Sequence, residues 1–155
     1  MAITDHSDEI QAFLTSQARE YLARAINGEL SFQAVGFSVG RGGYEPTDPL
    51  HVIPVTGAEL NLSDQVYPDT TGYASFQQID NAAGTPTVVY NCRLASTITQ
   101  SKADYGLGEL GVWAKILHSN NPSEVNQVFL MALAHFPIKA KTRRDTILFR
   151  VTVQY

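Results

Sequence analysis

SDEIQAFLTSQAREYLARAI, residues 7–26, is the stretch on which the fold class turns. Its apolar residues Ile10, Phe13, Leu14, Ala18, Tyr21, Leu22 and Ala25 recur at steps of three and four. That spacing lines one face of an α-helix. It predicts one amphipathic helix over 7–26, capped by Ser7 or Asp5, whose side-chain oxygens accept free backbone N–H groups. Asn27 and Gly28 end it, because glycine takes the left-handed conformation past a helix end without steric cost. The stripe needs a partner surface, and Phe13, Leu14, Tyr21 and Leu22 are expected to pack on it.

That surface is supplied downstream. ELSFQAVGFSVG (29–40) is rich in β-branched and aromatic residues and runs into GRGGYEPTDP (40–49), where glycines and prolines forbid a central strand. TVVYNCRLA (87–95) sets Val88, Tyr90, Cys92 and Leu94 against Asn91 and Arg93, a period of two. GVWAKIL (111–117) opposes Val112, Ala114 and Ile116 to Trp113, Lys115 and Leu117, and VFLMALAHF (128–136) is almost continuously apolar. TILFRVTVQY (146–155) alternates most clearly, with Ile147, Phe149, Val151, Val153 and Tyr155 on one face. PIKAKTRRD (137–145) is short enough to join the last two strands as an antiparallel hairpin. The expected fold is α+β: a single domain over 1–155, with the N-terminal helix packed on an antiparallel sheet.

Between the halves, about 44–86, short apolar pieces alternate with turn residues, and five of the seven prolines fall between 46 and 86. So long an irregular stretch is unusual unless it makes contacts of its own. It reads as a loop-rich, contact-making arm.

The totals limit the function. A chain of 155 residues, 44% of them hydrophobic, has a core to build. Eleven Lys and Arg against fifteen Asp and Glu give a net charge of −4, which supplies no global positive field for nucleic acid or an anionic membrane. Cys92 is the single cysteine, so an internal disulfide and a thiol-rich metal site are excluded. MAITDHSDEI (1–10) is acidic and unlike a secretory signal, and no segment approaches the roughly 20 apolar residues that span a bilayer.

Two enzyme patterns occur. GLGELG (106–111) matches the glycine fingerprint of dinucleotide sites, but that motif works only where a buried strand turns into a helix whose N-terminal N–H groups hold the pyrophosphate. Its flanks here are polar before and alternating after, so the glycines are expected to form a turn that tucks Leu107 and Leu110 under a strand. GFSVG (36–40) matches a serine-hydrolase elbow, which likewise needs a following helix, and Ser38 is followed by Arg41, Gly42 and Gly43. His6, His51, His118 and His135 are scattered without metal-ligand spacing. No enzyme activity, metal or cofactor is expected. The densest basic run, Lys139, Lys141, Arg143 and Arg144, reads either as a solvated hairpin tip or as a patch for a negatively charged neighbouring subunit.

Taken in order, LARAINGEL, FSVGRGGYEPTDP, YNCRLAS, YGLGELGVWAKI and ALAHFPIKAKTRRDTILFRVTVQY resemble a phage tail-collar fibre protein over nearly the whole chain. In that family a helix, a strand with a GGY proline loop, a GLGELG turn feeding an aromatic strand and a closing HFP hairpin recur in this order. The resemblance implies a structural virion protein, made in the host bacterial cytoplasm, that connects tail fibres to the tail tip or baseplate. Its partners are then other tail, baseplate and fibre subunits, with copies arranged as dimers or trimers. Candidate subunit contacts are Lys139, Lys141, Arg143, Arg144, Tyr44 and Tyr73. The alternative is a small carbohydrate-binding β domain that stacks host surface glycans on exposed aromatics such as Trp113, Tyr44 or Tyr73.

Overall fold

The computed structural model describes residues 4–45, 47–68, 73–74, 76–79, 87–94, 105–141 and 145–154, and in it the stretch expected as one helix divides in two. Strand β1 is Thr4–Leu14 and helix α1 is Ser16–Ile26. Along β1, Ile10, Ala12 and Leu14 are buried while Glu9, Gln11 and Phe13 are exposed, the alternation of a strand. Strand pairing decides the conformation. Thr4 to Ala12 lie in parallel register with Asp145 to Val153, and Phe13 and Leu14 pair antiparallel with Leu133 and Ala132.

Thr15 makes the change of structure. Its N–H donates to the Met131 carbonyl at 3.0 Å, and its hydroxyl donates to the Leu130 carbonyl at 2.7 Å and accepts the Ala18 N–H at 3.1 Å. Thr15, and not Ser7 or Asp5, is therefore the N-cap. The helix does end as expected, with Asn27 as C-cap and Gly28 at φ +75°. It packs through Ala18 and Tyr21, whose ring meets Phe129 edge-on at 4.7 Å, whereas Leu22 is half-buried and Phe13 is 52% exposed. The expected four-residue stripe is corrected accordingly.

The remaining elements are β2 (Leu30–Gly40), β3 (Tyr44–Glu45), β4 (Asp48–Val52), β5 (Gln65–Tyr67), β6 (Gln77–Ile79), β7 (Thr87–Leu94), β8 (Tyr105–Ser119), β9 (Val128–Lys141) and β10 (Asp145–Gln154). Eight of the strands form one mixed sheet in the order β5-β2-β8-β9-β1-β10-β7-β6, and β3 pairs with β4 as a separate ribbon. The α+β expectation is thus overturned: the chain is mostly β, 62% strand, with a curled mixed sheet and α1 as the one α-helix among the described residues. The closing hairpin is corrected too. β1 lies between β9 and β10, so these strands do not pair with each other.

The curl folds the sheet around one core. Ile10, Leu110, Val112, Ile116, Phe136, Phe149, Val151 and Val153 share it, and the Phe136 ring from β9 comes within 5.7 Å of Phe149 from β10. A second, smaller cluster of Leu62, Trp113, Leu130 and Leu133 lies on the other face of β8 and β9. Leu62 comes from the arm. The segment expected to be loop-rich holds β3 to β6 among its described residues, and buries Leu62 and Val66 against the chain's own sheet.

A bidentate ion pair ties α1 to the 3-10 turn at Pro122–Glu124: Arg24 donates to both Glu124 oxygens at 2.7 and 2.9 Å, and the Ser119 hydroxyl donates to Oε1 at 2.8 Å. The Arg24 guanidinium, with the Ser119 hydroxyl, holds the Glu124 carboxyl down at about 2, against an ordinary value of 4.5. A depressed carboxylate stabilises the fold above its ordinary value and loses that contribution as pH falls toward the depressed one. The melting temperature of the wild type is therefore expected to drop between pH 4.5 and 2. Glu124→Gln should flatten part of that drop; a thermal-melt series in both proteins checks it.

Candidate functional site

On the outer face of the sheet, small residues make room for the arm. Gly36, Ser38 and Gly40 of β2 stand in register with Trp113, Gly111 and Glu109 of β8, and these with Leu130, Leu133 and His135 of β9. A Cβ on Gly111 would come within 2.6 Å of Leu62, one on Gly108 would collide with the Gly42 carbonyl and the Tyr44 ring, and one on Gly36 with Tyr73. Glycine inside a strand often marks such a close approach. The GLGELG glycines therefore do not form a turn: Gly106, Gly108 and Gly111 lie within one continuous strand, β8. No helix N-terminus follows them, so the strand-turn-helix geometry that holds a pyrophosphate is not what these residues build.

Ser38 is likewise committed. It is fully buried, and its Oγ accepts the Trp113 indole N–H at 2.7 Å. Burial pushes the Cys92 thiol well above its ordinary range, which keeps it protonated and unreactive. Among the described residues no group of three or more His, Cys, Asp and Glu is placed to hold a metal ion.

Polar groups gather at the upper end of this face, where β2 runs out into the arm. Arg41 binds the Asp64 carboxylate through Nε and a terminal nitrogen at 2.8 and 2.7 Å, and its N–H donates to the Asp64 carbonyl at 2.9 Å. Glu109 is fully buried beside them, and the Asp64 N–H donates to its Oε1 at 3.3 Å. Burial pushes the Glu109 carboxyl up, and Asp64 adds to this; hydrogen bonds from the Asp64 and Ser63 backbone and the nearby His135 oppose it. His135 Nδ1 lies 2.7 Å from the Ile53 carbonyl oxygen, so this nitrogen carries a proton and donates it to the arm. The arrangement fastens the arm to the sheet at Asp64, held by Arg41 and Glu109, and at Ile53, held by His135.

The structure does not bring the expected contact residues together. Tyr44 sits half-buried over Gly108 on β8, whereas Tyr73 lies over Gly36 on β2 and is 36% exposed. Lys139 is half-buried in β9 opposite Leu107, and Lys141 ends that strand opposite Tyr105. Arg143 and Arg144 lie outside the described residues. Trp113 is 8% exposed and covered by Leu62, so it offers no ring face for stacking a sugar. Sequence reasoning passed over Glu109, although a lone carboxyl inside the otherwise apolar run LGELGVWA was the signal available.

No family model matches the chain, and no curated protein or solved structure matches it.

Proposed function

We propose that the chain is a structural subunit of a bacteriophage tail, connecting tail fibres to the tail tip or baseplate, and that it is not an enzyme. One observation carries the reading. The arm is anchored to its own sheet by Leu62 and Val66, yet it presents Leu50 and Leu60 to solvent at 75% and 61% exposure. Apolar side chains raised on one excursion from the sheet suit burial by a neighbouring subunit. The ordered resemblance to tail-collar fibre proteins supports the same class. The partners are other tail, baseplate and fibre subunits, copies of the chain form dimers or trimers about the tail axis, and the protein resides in the virion after synthesis in the host cytoplasm. The glycan-binding alternative loses one of its three candidate platforms, because the Trp113 ring is covered.

The test is complementation of a phage lacking the gene. Leu50→Asp with Leu60→Asp should leave the melting temperature nearly unchanged, because both side chains are already in water, while abolishing incorporation into tails. Reversing Lys141, Arg143 and Arg144 to Glu should weaken incorporation through like-charge contacts. Wild-type plating by the leucine variant would remove the arm from the proposed interface and the reading with it.

A further inference from the structure

Glu109 stands in a strand that is otherwise apolar or glycine over 106–114, and its side chain is completely out of water. Oε1 accepts one long hydrogen bond from Asp64, and Oε2 is buried with no partner. The site is shaped for this group. A Cβ on Gly42 would run into Oε2, and one on Gly40 would stand 2.9 Å from the carboxyl carbon. Three pieces of chain thus converge on one carboxyl: the end of β2, the Arg41–Gly43 loop, and the returning Ser63–Asp64 segment.

Among the described residues, the charged and titratable groups around it are His135 from β9, Asp64 from the arm and Arg41 from the loop after β2, and Arg41 and Asp64 pair with each other. A neutral carboxyl tolerates this environment at the cost of one unsatisfied atom. A carboxylate does not, because it gives up its hydration for backbone hydrogen bonds from the Ser63–Asp64 segment that leave Oε2 without a partner.

We propose that Glu109 is a proton-operated latch: protonated, it holds the Arg41–Gly43 and Ser63–Asp64 segments on the outer face of the sheet, and ionised, it releases them. Release uncovers Trp113, Leu130 and Leu133, which Leu62 otherwise covers. The direction follows from linkage. The folded carboxyl binds its proton more tightly than an ordinary one, so its hold on the arm is complete below the usual carboxylate range and is lost as pH rises through the folded value. His135, whose Nδ1 holds the Ile53 carbonyl, keeps the arm attached at a second place while the Glu109 end lifts.

Trp113 is the only tryptophan and reports directly on the outer face. With the full-length chain, raising the pH from about 4 to about 9 should shift its emission to the red and increase acrylamide quenching, while the far-ultraviolet circular dichroism stays constant. Amide exchange over residues 62–66, corrected for base catalysis, should accelerate by up to about tenfold per pH unit as one proton is lost. Glu109→Gln should abolish both dependences, and His135→Gln should retain them. Identical dependences in Glu109→Gln, or their disappearance in His135→Gln alone, would assign the transition to the imidazole and overturn the latch. Should Glu109→Gln fail to fold, the wild-type exchange profile decides: a flat corrected rate over this range overturns the proposal. None of these measurements depends on a role in a phage tail.

Discussion

Phe149→Ala should lower the unfolding free energy by about 3–5 kcal/mol, at the upper end for a core truncation. Phe149 is fully buried at the middle of β10, where β1 flanks it at Asp8 and β7 at Cys92. With strands paired on both sides the backbone cannot close in on the cavity. The Phe136 ring, 5.7 Å away across the curl, loses its partner as well. Urea unfolding should show a lower midpoint at an unchanged slope, since the surface exposed on unfolding is the same. A loss below about 1 kcal/mol would mean that the two halves of the sheet do not close on each other as described.

Trp113→Ala should cost a similar amount, about 3–5 kcal/mol, but through the other face. The indole fills the space between Leu62, Leu130 and Leu133 and donates to Ser38 Oγ at 2.7 Å. Its removal leaves a cavity and takes the donor from a fully buried hydroxyl. The effect should also be distributed differently. In Trp113→Ala, amide exchange should accelerate first around Leu62 to Val66, because the arm rests on the ring, whereas Phe149→Ala should speed exchange in β1 and β10 together. Trp113→Phe keeps much of the packing but leaves the Ser38 hydroxyl without its donor, so a residual loss of about 1–3 kcal/mol is expected. Equal acceleration everywhere in both alanine variants would show that the two faces unfold as one unit.

The strands of the second half were legible because only one periodicity fits them. Ile147, Phe149, Val151 and Val153 are buried, and Arg150 between them is exposed, as their alternation requires. Residues 7–14 were not legible for the opposite reason: Ile10, Phe13 and Leu14 satisfy a helical step, while Ile10, Ala12 and Leu14 satisfy a strand step. Pairing with β10, far away in sequence, chose between them. The hairpin expectation failed with it, since nothing local in 137–145 shows that a third strand separates β9 from β10. The outer-face site was written in GLGELG and GFSVG, but as missing side chains. Those glycines record where Tyr44, Tyr73 and Leu62 press on the sheet, and a glycine pattern does not say what fills the space.

The placement of β1 between β9 and β10 also constrains the order in which the chain can mature. The junction at Thr15 is sealed by a bond to Leu130, 115 residues away in sequence, and loop-closure entropy must be met before such a contact stabilises anything. The β8–β9 pair, close in sequence, can form without β1, and would wait with an open hydrogen-bonding edge until the distant β1 arrives. High contact order of this kind places folding toward the slow, roughly millisecond-to-second end of small domains. Through that interval β9 offers its bare edge to any other extended chain, so yield on refolding should fall as protein concentration rises.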